Sequence, residues 1–181
     1  MVISGDFTQR ARVKQYEMAC AFVDRIEDQG LTVLAVPGNH DVPLYDVVRR
    51  FVRPLHRYKR FIDDDLCPYF ENDELEVLGL NTARSFTIKD GSISREQMQL
   101  IRETFRDDAR GKTRILVTHH PLYAMPIGDE GELTKVANRH EDALLAAAER
   151  GVHILLAGHF HRSFSKSARD MVKNSGPALV V

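Results

Sequence analysis

The chain is poor in cysteine, in net charge and in long apolar runs, and each shortage removes a class of protein. Its two cysteines, Cys20 and Cys67, stand in no metal-binding or redox spacing. Cys20 falls on the apolar face of a helical pattern, so the reading is buried free thiols and a reducing compartment. The formal net charge is -1, which gives no nucleic-acid track and no attraction to an anionic membrane surface. No apolar stretch approaches a membrane span, and Met1 is not followed by a basic-then-apolar leader. The default placement is cytoplasmic. Internal repeats and low-complexity segments are also lacking. What remains is a length of 181 residues with 43% hydrophobic and 28% charged content, the profile of one soluble globular domain spanning 1–181.

The informative pattern is a repeated strand ending. Val33-Leu34-Ala35-Val36 is a short apolar run stopped by Pro37-Gly38, and Asn39-His40-Asp41 follow at once. Arg114 to Thr118 runs into His119-His120-Pro121, and His153 to Ala157 runs into Gly158-His159-Phe160-His161. The chain opens on Met1-Val2-Ile3-Ser4, which reads as the end of a strand delivering Gly5-Asp6. In an open α/β sheet, ligands bind in the crevice beyond the carboxyl ends of the strands. Four apolar runs each place an Asp, Asn or His there.

Between these runs the spacing predicts helices and hairpins. Tyr16, Ala19, Cys20, Phe22, Val23 and Ile26 mark a helix from Arg12 to Gln29, closed by Gly30 in the left-handed region. Leu44, Val47, Val48 and Phe51 mark a second amphipathic helix, stopped by Pro54. The basic run Arg49-Arg50, Arg53, Arg57, Lys59-Arg60 is balanced by Asp63-Asp64-Asp65 and reads as a solvated face. Tyr69 to Glu71 and Leu75 to Leu80 predict a hairpin or two adjacent strands. Ser94 and Gln97 make a capping box for a helix with Met98, Ile101 and Phe105 on one face. Residues Met125 to Val136 read as a mobile loop over the strand ends, and Arg139 to Arg150 as a last helix. Ala178-Leu179-Val180-Val181 reads as the beginning of a further strand.

Asp6, Asn39, His119 and His159 together offer one carboxylate, one amide oxygen and two imidazoles. That donor set suits Zn, Mn or Fe with positions left for water. His161, two residues beyond His159 on an extended chain, reaches towards a second metal, and Asp6 can bridge the two ions. Two such metals about 3.5–4 Å apart clamp the attacking and leaving oxygens of a phosphoryl displacement. His40 follows a proposed ligand and should face the substrate, to protonate the leaving oxygen or stabilise charge on phosphate. Asp41 either orients that imidazole or caps the helix after it. His56, His140 and His153 read as ordinary surface or half-buried residues.

Gly5-Asp6, Gly38-Asn39-His40-Asp41, His119-His120-Pro121 and Gly158-His159-Phe160-His161 in this order resemble the calcineurin-like metallophosphoesterase family. Within that family the chain is similar to bacterial cyclic-nucleotide phosphodiesterase-like members. The likeness covers nearly the whole chain, including Ser4 to Ala11, Val36 to Tyr45 and Leu80 to Ser85. It implies an α/β fold, a two-sheet sandwich flanked by helices, and metal-dependent hydrolysis of a small phosphate ester, most simply a phosphodiester attacked by a metal-bound hydroxide. It assigns Asp6 as the bridging ligand, Asn39, His119 and His159 to one metal, His161 to the other, and His40 as the acid or phosphate stabiliser. The family also opens with a strand ending in Asp-x-His upstream of Gly-Asp, and this sequence begins after that point. The resulting expectation is a domain incomplete at both ends, which holds one metal well where the complete site holds two. An alternative reading is a catalytically impaired one-metal remnant that binds a phosphate compound or a partner.

Overall fold

A computed structural model describes residues 1–87, 89–106, 111–127, 132–161 and 165. The strand read over Ala178 to Val181 lies outside these residues, as does nearly all of the segment that precedes it. Two sheets carry the fold. The smaller pairs β1 (Val2–Ile3) with β2 (Leu34–Ala35) in parallel. The larger has the order β3-β4-β5-β8, built from Tyr69–Glu71, Leu75–Leu80, Thr113–Thr118 and Ile154–Leu156. β3 is antiparallel to β4, as the hairpin reading required, and β4, β5 and β8 are parallel.

The alternation of side chains along β4 and β5 divides the core in two. Val77 and Val117 point to one face and meet Leu34 and Val36 of the smaller sheet. Leu78, Leu80 and Leu116 point to the other and pack under α4 (Arg95–Thr104) and α5 (His140–Glu149). With both faces covered, β4 is apolar almost throughout, as a buried parallel strand must be. Gly79 lets the smaller sheet pack closely here, since a Cβ there would lie 2.6 Å from a Val36 methyl. At the opposite end of the strands, Arg114 pairs with Glu76 at 2.8 Å, both side chains nearly buried.

Outside the smaller sheet, α1 (Val13–Glu27) and α3 (His56–Phe61) form a second cluster, with the Tyr16 and Phe61 rings stacked at 5.9 Å. Gly30 ends α1 at φ 79°, in the left-handed region its position required. The Ser94–Gln97 capping box opens α4, with the Ser94 hydroxyl accepting from Gln97 N at 3.2 Å and Gln97 Oε1 accepting from Ser94 N at 3.0 Å. Among the described residues, no helix is long and apolar enough to cross a membrane.

Three local readings are corrected. α2 (Val47–Val52) exposes Val47, Val48, Phe51 and Val52 and buries Arg50 instead. The Arg50 guanidinium donates to the carbonyls of Pro43, Ser85 and Thr87, which have no strand or helix to satisfy them. The segment read as a loop from Met125 to Val136 contains an antiparallel pair, β6 (Pro126–Ile127) and β7 (Glu132–Leu133). Cys20 and Cys67 are free but only half-buried, Cys20 contacting Asp24 and Cys67 accepting from the Gln97 amide.

Candidate metal centre

Parallel pairing puts the carboxyl ends of β1 and β2 together, and those of β4, β5 and β8 together. Because the sheets face each other, the two sets of strand ends converge. His119, just past β5, hydrogen-bonds across the gap, its Nδ1 lying 2.7 Å from the Ser4 carbonyl at the end of β1. A carbonyl only accepts, so Nδ1 carries the proton and the Nε2 lone pair points the other way. That lone pair faces Asn39 Oδ1 at 3.0 Å, His159 Nδ1 at 3.2 Å and an Asp6 carboxylate oxygen at 3.5 Å. His159 Nδ1 is also 3.0 Å from Asn39 Oδ1.

This is a concentration of electron-rich atoms. A proton on His159 Nδ1 relieves one contact, but the Asp6 carboxylate and the His119 lone pair still face each other. Protonating His119 would relieve them, yet burial pushes its pKa below the usual imidazole value. Burial and the neighbouring His119 ring push His159 down to about 4. Neutral imidazoles beside a carboxylate and an amide oxygen fit a divalent transition metal.

The backbone is shaped for this approach. Gly5 and Asp6 both have positive φ, 93° and 59°, which turns the chain sharply after β1. Gly38 lies against Asp6 so closely that a Cβ would stand 2.8 Å from Asp6 Cγ and nearer still to its Oδ1 and backbone nitrogen. Asp6 Oδ1 accepts from His40 N at 3.0 Å, fixing the carboxylate against the Asn39–Asp41 turn.

Among the described residues Asp41 makes no hydrogen bond to the His40 ring, and it caps its own short turn at Gly38 N, not the helix after it. It is 1% exposed and accepts from Gly38 N, Phe7 N, Thr8 N and the Thr8 hydroxyl, between 2.9 and 3.3 Å. It therefore staples the loop after β1 to the loop after β2. Burial, with the charge of Asp6 adding to it against the backbone donors, pushes its pKa up to about 7. The His40 ring is held elsewhere, its Nδ1 3.0 Å from the Gln9 carbonyl.

His40 and His161 are exposed on the wall of an open cleft of about 770 Å³, which Asp6 and, from α1, Met18 and Phe22 also line. The extended chain expected from His159 to His161 is not formed. Both residues have positive φ, 77° and 51°, and Phe160 packs its ring on His159 instead of leaving by the other face. Asp6, Asn39, His119 and His159 are brought into contact; His161 makes no hydrogen bond to a described residue but lies on the cleft wall near enough to act electrostatically on His119 and His159.

Sequence reasoning missed His120. Alternation along β5 would send adjacent His119 and His120 to opposite faces, but the strand ends at Thr118 and the turn brings both rings inward, 4.8 Å apart. His120 Nδ1 is 2.8 Å from the Thr82 hydroxyl, and its buried Nε2 has no partner at hydrogen-bond distance among the described residues. Burial and the adjacent imidazoles push it down to about 3. His119, His120 and His159 each offer a ring nitrogen within 4.8 Å of the others. The only sequence signal was Thr82 within the polar run after β4. His56 is exposed, and His140 and His153 are half-buried, bonding to Ala137 O and Arg114 N.

Facing sheets whose strand ends gather histidine, carboxylate and amide donors make this an α/β protein with a cluster that could hold a metal ion. The chain belongs to the calcineurin-like phosphoesterase family, whose model matches residues 1–163. A search of curated proteins finds no match to the chain.

Proposed function

We propose that the cluster holds one divalent transition metal, Zn, Mn or Fe, and uses it to bind the phosphoryl group of a small phosphate ester. The observation that carries this reading is the His119 Nε2 lone pair. It is turned by the Ser4 carbonyl towards Asn39 Oδ1, His159 Nδ1 and the Asp6 carboxylate, all within 3.5 Å. His119 and His159 supply nitrogens, Asn39 and Asp6 supply oxygens, and His120 adds the unpartnered Nε2. Asp6 and His161, which borders the cleft, remain for a second and weaker ion.

Hydrolysis of a phosphodiester, of the cyclic-nucleotide type the sequence suggested, is the second reading. It is favoured by His40. With Nδ1 committed to the Gln9 carbonyl, Nε2 of the exposed ring is free to meet substrate at the cleft. When protonated it can donate to the leaving oxygen or to a phosphoryl oxygen. A bound cation supplies charge neutralisation and lowers the pKa of a coordinated water. The chain's own residues orient it: Asp41 fixes the two loops, Asp6 holds the His40 backbone, and Ser4 sets the His119 tautomer. A reducing, cytoplasmic setting fits the two free cysteines.

Equilibrium dialysis of inorganic phosphate against the Mn-loaded full chain and its His119→Ala variant tests the first reading. Binding lost in the variant supports it, and equal binding refutes it. Turnover of bis(p-nitrophenyl) phosphate by the same Mn-loaded chain separates hydrolysis from binding alone.

A further inference from the structure

Arg53, Lys59 and Arg60 of the basic run are exposed, as a solvated face requires, but among the described residues none of them pairs with Asp63 to Asp65. Asp63 and Asp65 accept from the backbone of their own turn, at Asp65 N and Cys67 N. Arg57 donates to the Ala11 carbonyl and Arg60 lies over the Phe61 ring. Arg53, His56 and Lys59 are left without ion pairs among the described residues, and all three line a second cleft of about 410 Å³.

Arg84 lines the same cleft. Its guanidinium donates to the carbonyls of Asn81 and Ala83, at 2.8 and 3.0 Å, and to Gln97 Oε1 at 2.6 Å. Every one of these acceptors is neutral. Burial pulls Arg84 below the ordinary guanidinium range, with the nearby Cys67 sulfur opposing the shift and no carboxylate beside it to do so. Among the described residues no carboxylate lines the cleft, and Leu55 and Leu66 give it an apolar floor. A concave site with an apolar wall and a few convergent cations is what a small amphiphilic anion requires.

We propose that this cleft is an anion site, distinct from the metal centre, for the phosphate or carboxylate of a small organic acid whose apolar part rests on Leu55 and Leu66. None of its lining residues belongs to the metal cluster. Arg53 and Lys59 draw the anion in from the rim. Arg84, already oriented by three hydrogen bonds, keeps donors free to meet it.

Isothermal titration of the full chain with phenylphosphonate, benzoate and neutral benzyl alcohol tests the site. The rim variant Arg53→Ala/Lys59→Ala alters two exposed residues and leaves the structural bonds of Arg84 in place. The anions should bind and the alcohol should not; the stronger of the two anions identifies the headgroup. The double variant should weaken anion binding about fivefold, the scale of two exposed charge pairs removed together. His159→Ala should leave that rim-dependent event unchanged. Anion binding of equal strength in the rim variant, loss of the event in His159→Ala, or no binding of either anion at millimolar concentration overturns the proposal.

Discussion

Replacing Gly38 by alanine probes how closely the metal centre depends on two backbones touching. Gly38 has φ -100°, which alanine adopts freely, so the substitution carries no dihedral strain. The effect is purely steric. The new methyl would stand 2.8 Å from Asp6 Cγ and closer still to Asp6 Oδ1 and N, and a backbone nitrogen in a tight turn has nowhere to go. Overpacking of this kind costs about 1–3 kcal/mol. For a chain of this size that is a fall in Tm of about 2–12 °C. Displacing Asp6 also breaks its bond to His40 N and moves its carboxylate away from His119. A disturbed ligand environment typically weakens metal affinity by about 10–100-fold. Gly30→Ala is the control. At φ 79° with nothing within 4 Å of its Cβ, it costs roughly 1–2 kcal/mol of left-handed strain and touches no ligand. Urea denaturation and Zn titration with a chromophoric competitor measure both quantities. Similar losses of stability with Zn affinity lost only in Gly38→Ala fit the structure. Unchanged Zn affinity in Gly38→Ala refutes the claim that Asp6 is placed by this contact.

Other perturbations give separate checks. His40→Ala should abolish most phosphodiester turnover while leaving metal content as it was; unchanged turnover removes any chemical role for that ring. Arg114→Met should destabilise the chain by about 3–5 kcal/mol in urea, because it strands the Glu76 carboxylate, 2% exposed, without its cation. Without metal, stability should fall as the pH drops below the ordinary imidazole value of 6.5, since His120 and His159 titrate near 3 and 4 in the folded chain and the unfolded chain takes up protons first. Asp41 acts in the opposite sense, its contribution present below 3.8 and lost as the pH rises through about 7. Two histidines outweigh the one Asp41 across this window, so a Tm profile in chelator that stays flat from pH 6.5 to 4 contradicts the histidine assignment.

The strand ends were legible in the sequence because each motif is contiguous: an apolar run, a glycine or threonine, then a polar side chain. Parallel pairing and two facing sheets do the rest, and the donors named from the sequence at Asp6, Asn39, His119 and His159 do meet. What escaped depended on contacts distant in sequence. His120 turns inward only because β5 ends one residue before His119 and Thr82 receives its Nδ1. α2 reads as amphipathic with Val47, Val48 and Phe51 inward, but three loop carbonyls needed a donor and Arg50 took the buried side. α3 carries few apolar residues and no helical period strong enough to announce it. Asp41 sits in the His40 motif, but the donors it satisfies come mostly from a loop more than thirty residues earlier in the chain.

The coordination of Zn in the full chain, measured by X-ray absorption alongside elemental analysis, tests the central claim most directly. The result expected is about one tightly held ion, bound by at least two imidazoles and light oxygen donors, and lost in His119→Ala. An ion retained undiminished in that variant, or a first shell without imidazole, contradicts it.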